Sequence, residues 1–279
     1  MLSTSTKIAV ARSAASFLFA LGVKPNRIAS RGGVNFDLDL NEAVDFSIFL
    51  LGRFQGHILV LIRRLVPADG VVIDIGANFG SIALPAAAML PRGRVLAIEP
   101  TEYAFAKLRR NIELNPLLQG RIELLKCFVA DETRPASDMV AYSSWPLMRG
   151  KQPRPSHPVH RGVAMETMCG QMALDAIVAR EPWSAVSLIK IDTDGHEFSV
   201  LRGGSRCLAN VRPAIVFEAC QYLMEPPRAT FEDFEELFRG HSYTICSAAT
   251  LQPMSAKSFR KHCPQGGGLD LVVIPNERR

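Results

Sequence analysis

The sequence predicts a doubly wound α/β domain built on a mostly parallel, seven-stranded sheet, with a helical N-terminal extension. Three observations lead there. Seven short, β-branched apolar runs are bounded by turn residues. Helical stretches separate most of them, the alternation that a parallel sheet with helices on both faces requires. The runs are apolar on both sides rather than alternating, as strands covered on both faces must be. The chain has 279 residues, enough for one large domain, and 48% of them are hydrophobic and 21% charged, which places it among globular chains with a sizeable core.

Residues 1–30 read as the N-terminal helical extension and residues 31–279 as the α/β domain. Lys7 and Arg12 precede an apolar stretch from Ser13 to Val23. No small-x-small cleavage site follows, and a stretch this short cannot span a bilayer, which takes about 20 residues. It reads as a docking helix, with contact to a membrane surface and a targeting role as the alternatives. An extended piece at 34–40 and then helices lead into the strands, expected at 71–75, 95–98, 122–125, 186–191, 214–217, 243–246 and 269–274. Helices are expected at 80–90, 102–114, 174–180, 197–209 and 231–239. About twenty residues of weak helical signal join the last two strands, which leaves room for one of them to run antiparallel. From Asp131 to Gly170 the chain turns Pro-, Ser- and basic-rich and reads as a long irregular connection of functional length.

The six cysteines (127, 169, 207, 220, 246 and 263) include no C-x-x-C pair. They read as scattered, reduced thiols, and a cytoplasmic address follows. The net charge is +5, with a pI of about 9.0. A mildly basic surface suits an anionic substrate or surface. No dense Lys/Arg tract with interleaved aromatics is present, so no nucleic-acid partner is expected.

Ligands of open parallel sheets bind beyond the carboxyl ends of the strands, where strand order reverses. The first of the seven strands ends in Asp74-Ile75-Gly76-Ala77-Asn78-Phe79-Gly80. Gly76 permits a tight turn and close approach of a ligand, and Gly80 opens the next helix. Asp74 is placed to orient this loop or to reach a ligand amino group through water. The loop lacks the middle glycine of a dinucleotide fingerprint. Glu99 ends the second strand, where a carboxylate accepts hydrogen bonds from ribose hydroxyls. A nucleoside without a pyrophosphate points to S-adenosyl-L-methionine.

The segment from Val71 to Gly80 resembles the V-x-D-x-G-A-N-x-G signature of the FkbM family of methyltransferases. Leu188-Ile189-Lys190-Ile191-Asp192-Thr193-Asp194-Gly195-His196-Glu197, followed by Val200-Leu201-Arg202-Gly203-Gly204, is similar to that family's L-I-K-I-D-V-E-G-x-E and V-L-R-G-A segments. Residues 94–100, 109–115 and 213–218 add to the likeness, which extends over roughly 31–275. Asp194 stands where the family usually has Glu, and the 131–170 connection is idiosyncratic. The resemblance implies a Rossmann-like class I methyltransferase fold and O-methylation of a sugar, glycolipid or natural-product hydroxyl. Gly76, Ala77, Asn78, Gly80, Glu99, Pro100 and Asp74 are then expected to hold the cofactor, with Asp131 near its adenine.

A hydroxyl acceptor must lose its proton near the transition state, which calls for a base or a metal. Asp192 ends the fourth strand and is the first candidate. Lys190, two residues earlier, points to the same side and is placed to pair with it or to hold an anionic substrate group. His196 has a suitable pKa for a base. Glu218 ends the fifth strand beside them. Asp194 and Glu197 read first as a capping-box variant. Asp192, Asp194 and Glu218 together offer oxygen ligands for a divalent cation, an alternative less favoured than the base. Ser143, Ser144 and Trp145, with His157, His160, Arg149, Lys151, Arg154 and Arg161, read as a lid or acceptor wall or as a solvated loop. A small-molecule or carbohydrate acceptor is expected. The other readings are N-methylation of protein or RNA, disfavoured because Asp192-Thr193-Asp194-Gly195 replaces an N-P-P-Y type motif, and a non-catalytic binding module.

Overall fold

The seven apolar runs come together in a single sheet. The structure, a computed structural model, describes residues 4–142, 147, 164–221, 224, 229–263 and 267–278. In chain order, helix α1 (Thr4–Ala20) leads into a hairpin of β1 (Asn26–Arg31) and β2 (Val34–Asp39), then α2 (Ala43–Leu51) and α3 (Gly56–Leu65). The α/β succession begins with β3 (Val71–Ile75), α4 (Ala83–Met89), β4 (Arg94–Ile98), α5 (Glu102–Glu113), α6 (Pro116–Gln119) and β5 (Ile122–Leu125). Three more strands follow, β6 (Phe128–Ala130), β7 (Arg134–Tyr142) and β8 (Ala164–Ala173), and then α7 (Leu174–Val178). The chain closes with β9 (Val186–Ile191), α8 (Glu197–Arg202), β10 (Ala214–Cys220), α9 (Phe231–Gly240), β11 (Tyr243–Ser247), α10 (Ala256–His262) and β12 (Gly268–Pro275).

The main sheet runs in the order β11-β12-β10-β9-β3-β4-β5. The strands pair in parallel except β12, which is antiparallel to both β10 and β11. The last strand inserts between β10 and β11, antiparallel to both. Strand order reverses between β3 and β9, which fixes the ligand crevice at their carboxyl ends. Each sheet face buries its own core. One face packs Val72, Ala97, Leu188, Val216 and Val272 against the hairpin and α1 to α4. The other packs Ile73, Ile98, Ile189, Phe217 and Val273 against α7 to α10.

Four expectations need correction. The boundary drawn after residue 30 falls inside the β1–β2 hairpin, in which Arg31 pairs with Val34. β1 is polar and mostly exposed, so it carries no apolar signal of its own. The 131–170 connection is not irregular throughout: β7 and β8 form an antiparallel ladder, with β8 parallel to β6. These pairings close over a long sequence separation, and Pro135 sits where the register shifts between Arg134 and Ser137, as a strand proline must. The helix expected over 197–209 breaks after Arg202 and resumes as a π-helical turn, Cys207–Val211. The break follows from close packing, since a Cβ on Gly203 would lie 2.1 Å from the Ala130 carbonyl oxygen. Finally, α4 begins at Ala83 rather than Gly80, although Leu84 N–H already donates to the Gly80 carbonyl at 3.1 Å.

Candidate active site

Cross-strand register puts the polar residues of the crevice on one sheet face. Asp74 lies opposite Lys190, Lys190 opposite Val216, and Glu218 opposite Asp270. Side chains alternate along each strand, so Asp74, Lys190, Glu218 and Asp270 all project to the side of the hairpin and α3.

Lys190 is the hub of this row. Its ammonium is 4% exposed and lies 3.1 Å from Asp74 Oδ1 and 3.5 Å from Asp192 Oδ2, and it donates to the Gly76 carbonyl at 2.9 Å. Flanked by both carboxylates, Lys190 takes the ion-pairing role considered for it. Burial alone would strip its proton; the Asp74 and Asp192 carboxylates outweigh burial and hold it protonated above its ordinary value. Asp74 is wholly buried, so burial pushes its carboxyl up while Lys190 opposes the shift. It orients the loop from beneath, with no exposure to a ligand.

The loop after β3 is shaped by contact. Gly76 has φ +75°, and a Cβ there would lie 1.9 Å from the Asp192 carbonyl oxygen. Only glycine allows the two strand ends to approach this closely. The Gly76 and Ala77 amides both donate to the Ile98 carbonyl at 2.9 Å, and Asn78 adopts a left-handed conformation, φ +50°. Glu99 closes the loop: Oε2 accepts from Asn78 N–H at 3.0 Å, and Oε1 accepts from the Thr101 amide at 2.9 Å and its hydroxyl at 2.6 Å. Burial pushes its carboxyl up against these bonds. A carboxylate has about four acceptor positions, so one remains on Oε2. Pro100 follows at the rim, half-buried.

Asn111 is a residue that sequence reasoning passed over. It is wholly buried, donates to the Phe79 carbonyl at 2.9 Å and accepts from the Asp37 amide at 2.7 Å, tying the loop to the hairpin. Lys107 adds to this clamp: its ammonium pairs with buried Asp45 and lies 4.4 Å from the Phe79 ring centroid. The only signal for Asn111 lay in the 109–115 likeness, which names no partner, and Lys107 lies outside it.

After β9, the Asp192 amide donates to the Ile75 carbonyl at 3.1 Å and its side chain is 26% exposed at the crevice edge. Asp194, at φ +54°, is exposed. The protein crowded around it, and after that the Asp192 and Glu197 carboxylates, push its acid up to about 8. Because its side chain reaches water, hydration works against this shift. The sign follows: the folded value lies above the ordinary 3.8, so the stability linked to this proton is full below that value and is lost as pH rises through about 8.

The capping-box reading is corrected. His196, not Asp194, is the N-cap of α8, and no side chain caps it. Glu197 instead folds back, accepting from the Thr193 amide at 2.8 Å and the Gly195 amide at 3.0 Å. Those bonds hold the turn that carries Asp192 and Asp194. His196 is exposed, with its ring 6.5 Å from that of Phe128, and helps line a cleft with Phe198, Arg202, Cys220 and Phe234.

Glu218 is half-buried over Gly268, where a Cβ would lie 2.3 Å from its Oε1. Burial first, then Asp192 and Asp270, push its carboxyl well above the ordinary range. Asp270 pairs with His57 Nε2 at 2.7 Å, which brings α3 to the end of the row. No motif marked His57. Among the described residues no three His, Cys, Asp or Glu side chains are grouped to hold a metal ion, so Asp192, Asp194 and Glu218 do not form the cation site considered above. Asp131 accepts from Arg202 at 3.0 Å, and its amide donates to the Ser199 hydroxyl at 3.2 Å, which commits it to α8. Ser143, Ser144, Trp145, Arg149, Lys151, Arg154, His157, His160 and Arg161 lie outside the described residues.

A switch-point crevice with a glycine loop on one strand end and a carboxylate on the next is the arrangement of an α/β domain of the Rossmann-like methyltransferase class. The model of the methyltransferase FkbM domain matches residues 74–245, and the chain belongs to that family. It is 26% identical over 153 residues to Methyltransferase 1 of Beauveria bassiana, covering 49% of this chain and 59% of that one. It is 24% identical over 164 residues to methyltransferase sdnD of Sordaria araneosa, covering 50% and 61%. The match thus spans about three fifths of the length of these curated relatives. Among solved structures, a methyltransferase FkbM from Methylobacillus flagellatus is similar at a TM-score of 0.45 and 18% identity, over 74% of this chain and 44% of that one.

Proposed function

We propose that this chain transfers a methyl group from S-adenosyl-L-methionine to a hydroxyl of a small-molecule or carbohydrate acceptor. Membership of a methyltransferase family supports the reaction class. The observation that carries the reading is the convergence of Glu99, the 76–80 loop and Asp192 on the β3/β9 switch point. The site suits a nucleoside: Glu99 retains one acceptor position for a ribose hydroxyl, and Gly76 and Gly80, both at positive φ, bend the backbone tightly at either end of the loop. The cofactor supplies an electrophilic methyl when bound.

The chain's own residues do the rest. Glu99, held in place by the Asn78 amide, orients the nucleoside. Lys190 fixes Asp192 at the crevice edge, where its carboxylate accepts the proton of the acceptor hydroxyl. Glu197 holds the turn so that Asp192 and Asp194 face the crevice. Most of the acceleration comes from positioning, as a displacement at a sulfonium requires. Replacing Glu99 by Ala tests the cofactor half. A charge-assisted bond contributes roughly 1.5–3 kcal/mol, so calorimetric titration with S-adenosylhomocysteine should show affinity weakened by about 10-fold to 100-fold. An unchanged dissociation constant removes Glu99 from the site.

A further inference from the structure

The N-terminal helix carries a stripe of large apolar side chains that the fold does not use. Ala15 is wholly buried, and Ala11, Ala14, Leu18 and Phe19 pack with it on the core formed with α2 and the hairpin. Arg12 pins this face by donating from Nε to the Leu147 carbonyl at 2.7 Å. Beside that face Val10, Phe17 and Leu21 are 61, 65 and 66% exposed. Their spacing of seven and four residues sets them on one stripe, and the Leu21 amide continues the helical ladder to Phe17 at 3.2 Å. This stripe of large apolar side chains has no cover in the fold.

Charge says what the cover is. Residues 1–36 contain Lys7, Arg12, Lys24, Arg27 and Arg31 and no Asp or Glu. The other 27 Lys and Arg of the chain balance its 27 Asp and Glu, so the whole net charge of +5 resides in this segment. A second copy seated on the stripe would bring two such segments face to face, in the self-complementary contact of a two-fold dimer. Like charge opposes that arrangement.

We infer that this face of α1 docks on an anionic lipid surface, with Val10, Phe17 and Leu21 entering the headgroup–acyl boundary, the exposed Lys24 meeting the lipid phosphates and the basic segment adding its long-range attraction. At 17 residues α1 lies along the surface rather than crossing it. Docking holds the domain at the membrane by the segment that also packs on α2, whichever acceptor the crevice takes.

The test is co-sedimentation of the full chain with vesicles of phosphatidylcholine alone and of phosphatidylcholine with phosphatidylglycerol. The full chain is expected to pellet with the anionic vesicles only, less so as salt is raised. Phe17→Asp/Leu21→Asp, on exposed positions, should lower the vesicle partition coefficient about tenfold or more while the melting temperature holds. Lys24→Glu should lower it roughly fivefold and decides the matter should the double variant fail to fold. A full chain that stays in the supernatant with anionic vesicles, or pellets equally with neutral ones, overturns the inference. So does a concentration-dependent dimer that Phe17→Asp/Leu21→Asp dissolves, which assigns the stripe to a second copy.

Discussion

Asn in place of Asp192 is expected to lower turnover by about 10²–10⁴-fold, the usual cost of losing a general base, with S-adenosylhomocysteine affinity largely unchanged. The expectation rests on position. Asp192 follows the central strand β9, and its backbone is fixed on both sides, by the amide bond to Ile75 and by the close approach of Gly76. Asn preserves the shape and every backbone contact, so only the negative charge is lost. The same assay with EDTA separates base from metal: a proton acceptor is indifferent to the chelator, whereas a cation site fails in it even with Asp192 in place. Near-normal turnover in the Asn variant would make Asp192 a structural partner of Lys190 and pass the role to Asp194, which follows it on the same turn.

Lys190→Met is expected to cost about 3–5 kcal/mol of stability, because removing one member of a buried ion pair strands the other. Asp74 is wholly buried, and without the ammonium its charge has no counterpart within the sheet. The variant should therefore depend on pH with a definite sign. Burial raises the folded value of Asp74 above its ordinary 3.8, so its contribution is full below that pH and is lost as pH rises through the folded value. Acidification should then restore part of the lost stability. Lys190→Met/Asp74→Leu should recover most of the deficit, since apolar residues of similar volume replace buried ion pairs at little cost. Urea denaturation across pH reads both. A loss below about 1 kcal/mol in Lys190→Met would show that the pair is not what holds the loop to β9.

The sheet was legible because strands buried on both faces must be apolar along their whole length. Runs such as Val71–Ile75 and Val186–Ile191 therefore stand out against polar turns. The elements that escaped are those stabilised from a distance. β1 is a polar edge strand, and β7 and β8 pair across a separation of twenty-one residues in the chain. The strand-end residues Glu99 and Asp192 were legible for the same reason as the strands, since a charged residue closing an apolar run has to face the crevice. Register was not, so the commitment of Lys190 to three partners at once emerges only when β3 and β9 lie side by side. Glu197 was misread because the Asp-x-x-Glu spacing fits a cap locally, while the left-handed Asp194 turns the chain and brings Glu197 onto the preceding amides. His57 belongs to an element before the α/β succession, and nothing local ties it to Asp270.

The central claim is that a nucleoside cofactor lies across the ends of β3, β4 and β9 with its reactive sulfur toward Asp192. A crystal structure of the complex with S-adenosylhomocysteine tests it most directly. The expected electron density puts a ribose hydroxyl on Glu99 Oε2, the nucleoside along the Gly76–Gly80 loop, and the sulfur in the space bounded by Asp192 and Asp194. Density for the ligand away from Glu99, or a sulfur turned from Asp192 toward the cleft of Phe198 and Phe234, would contradict it.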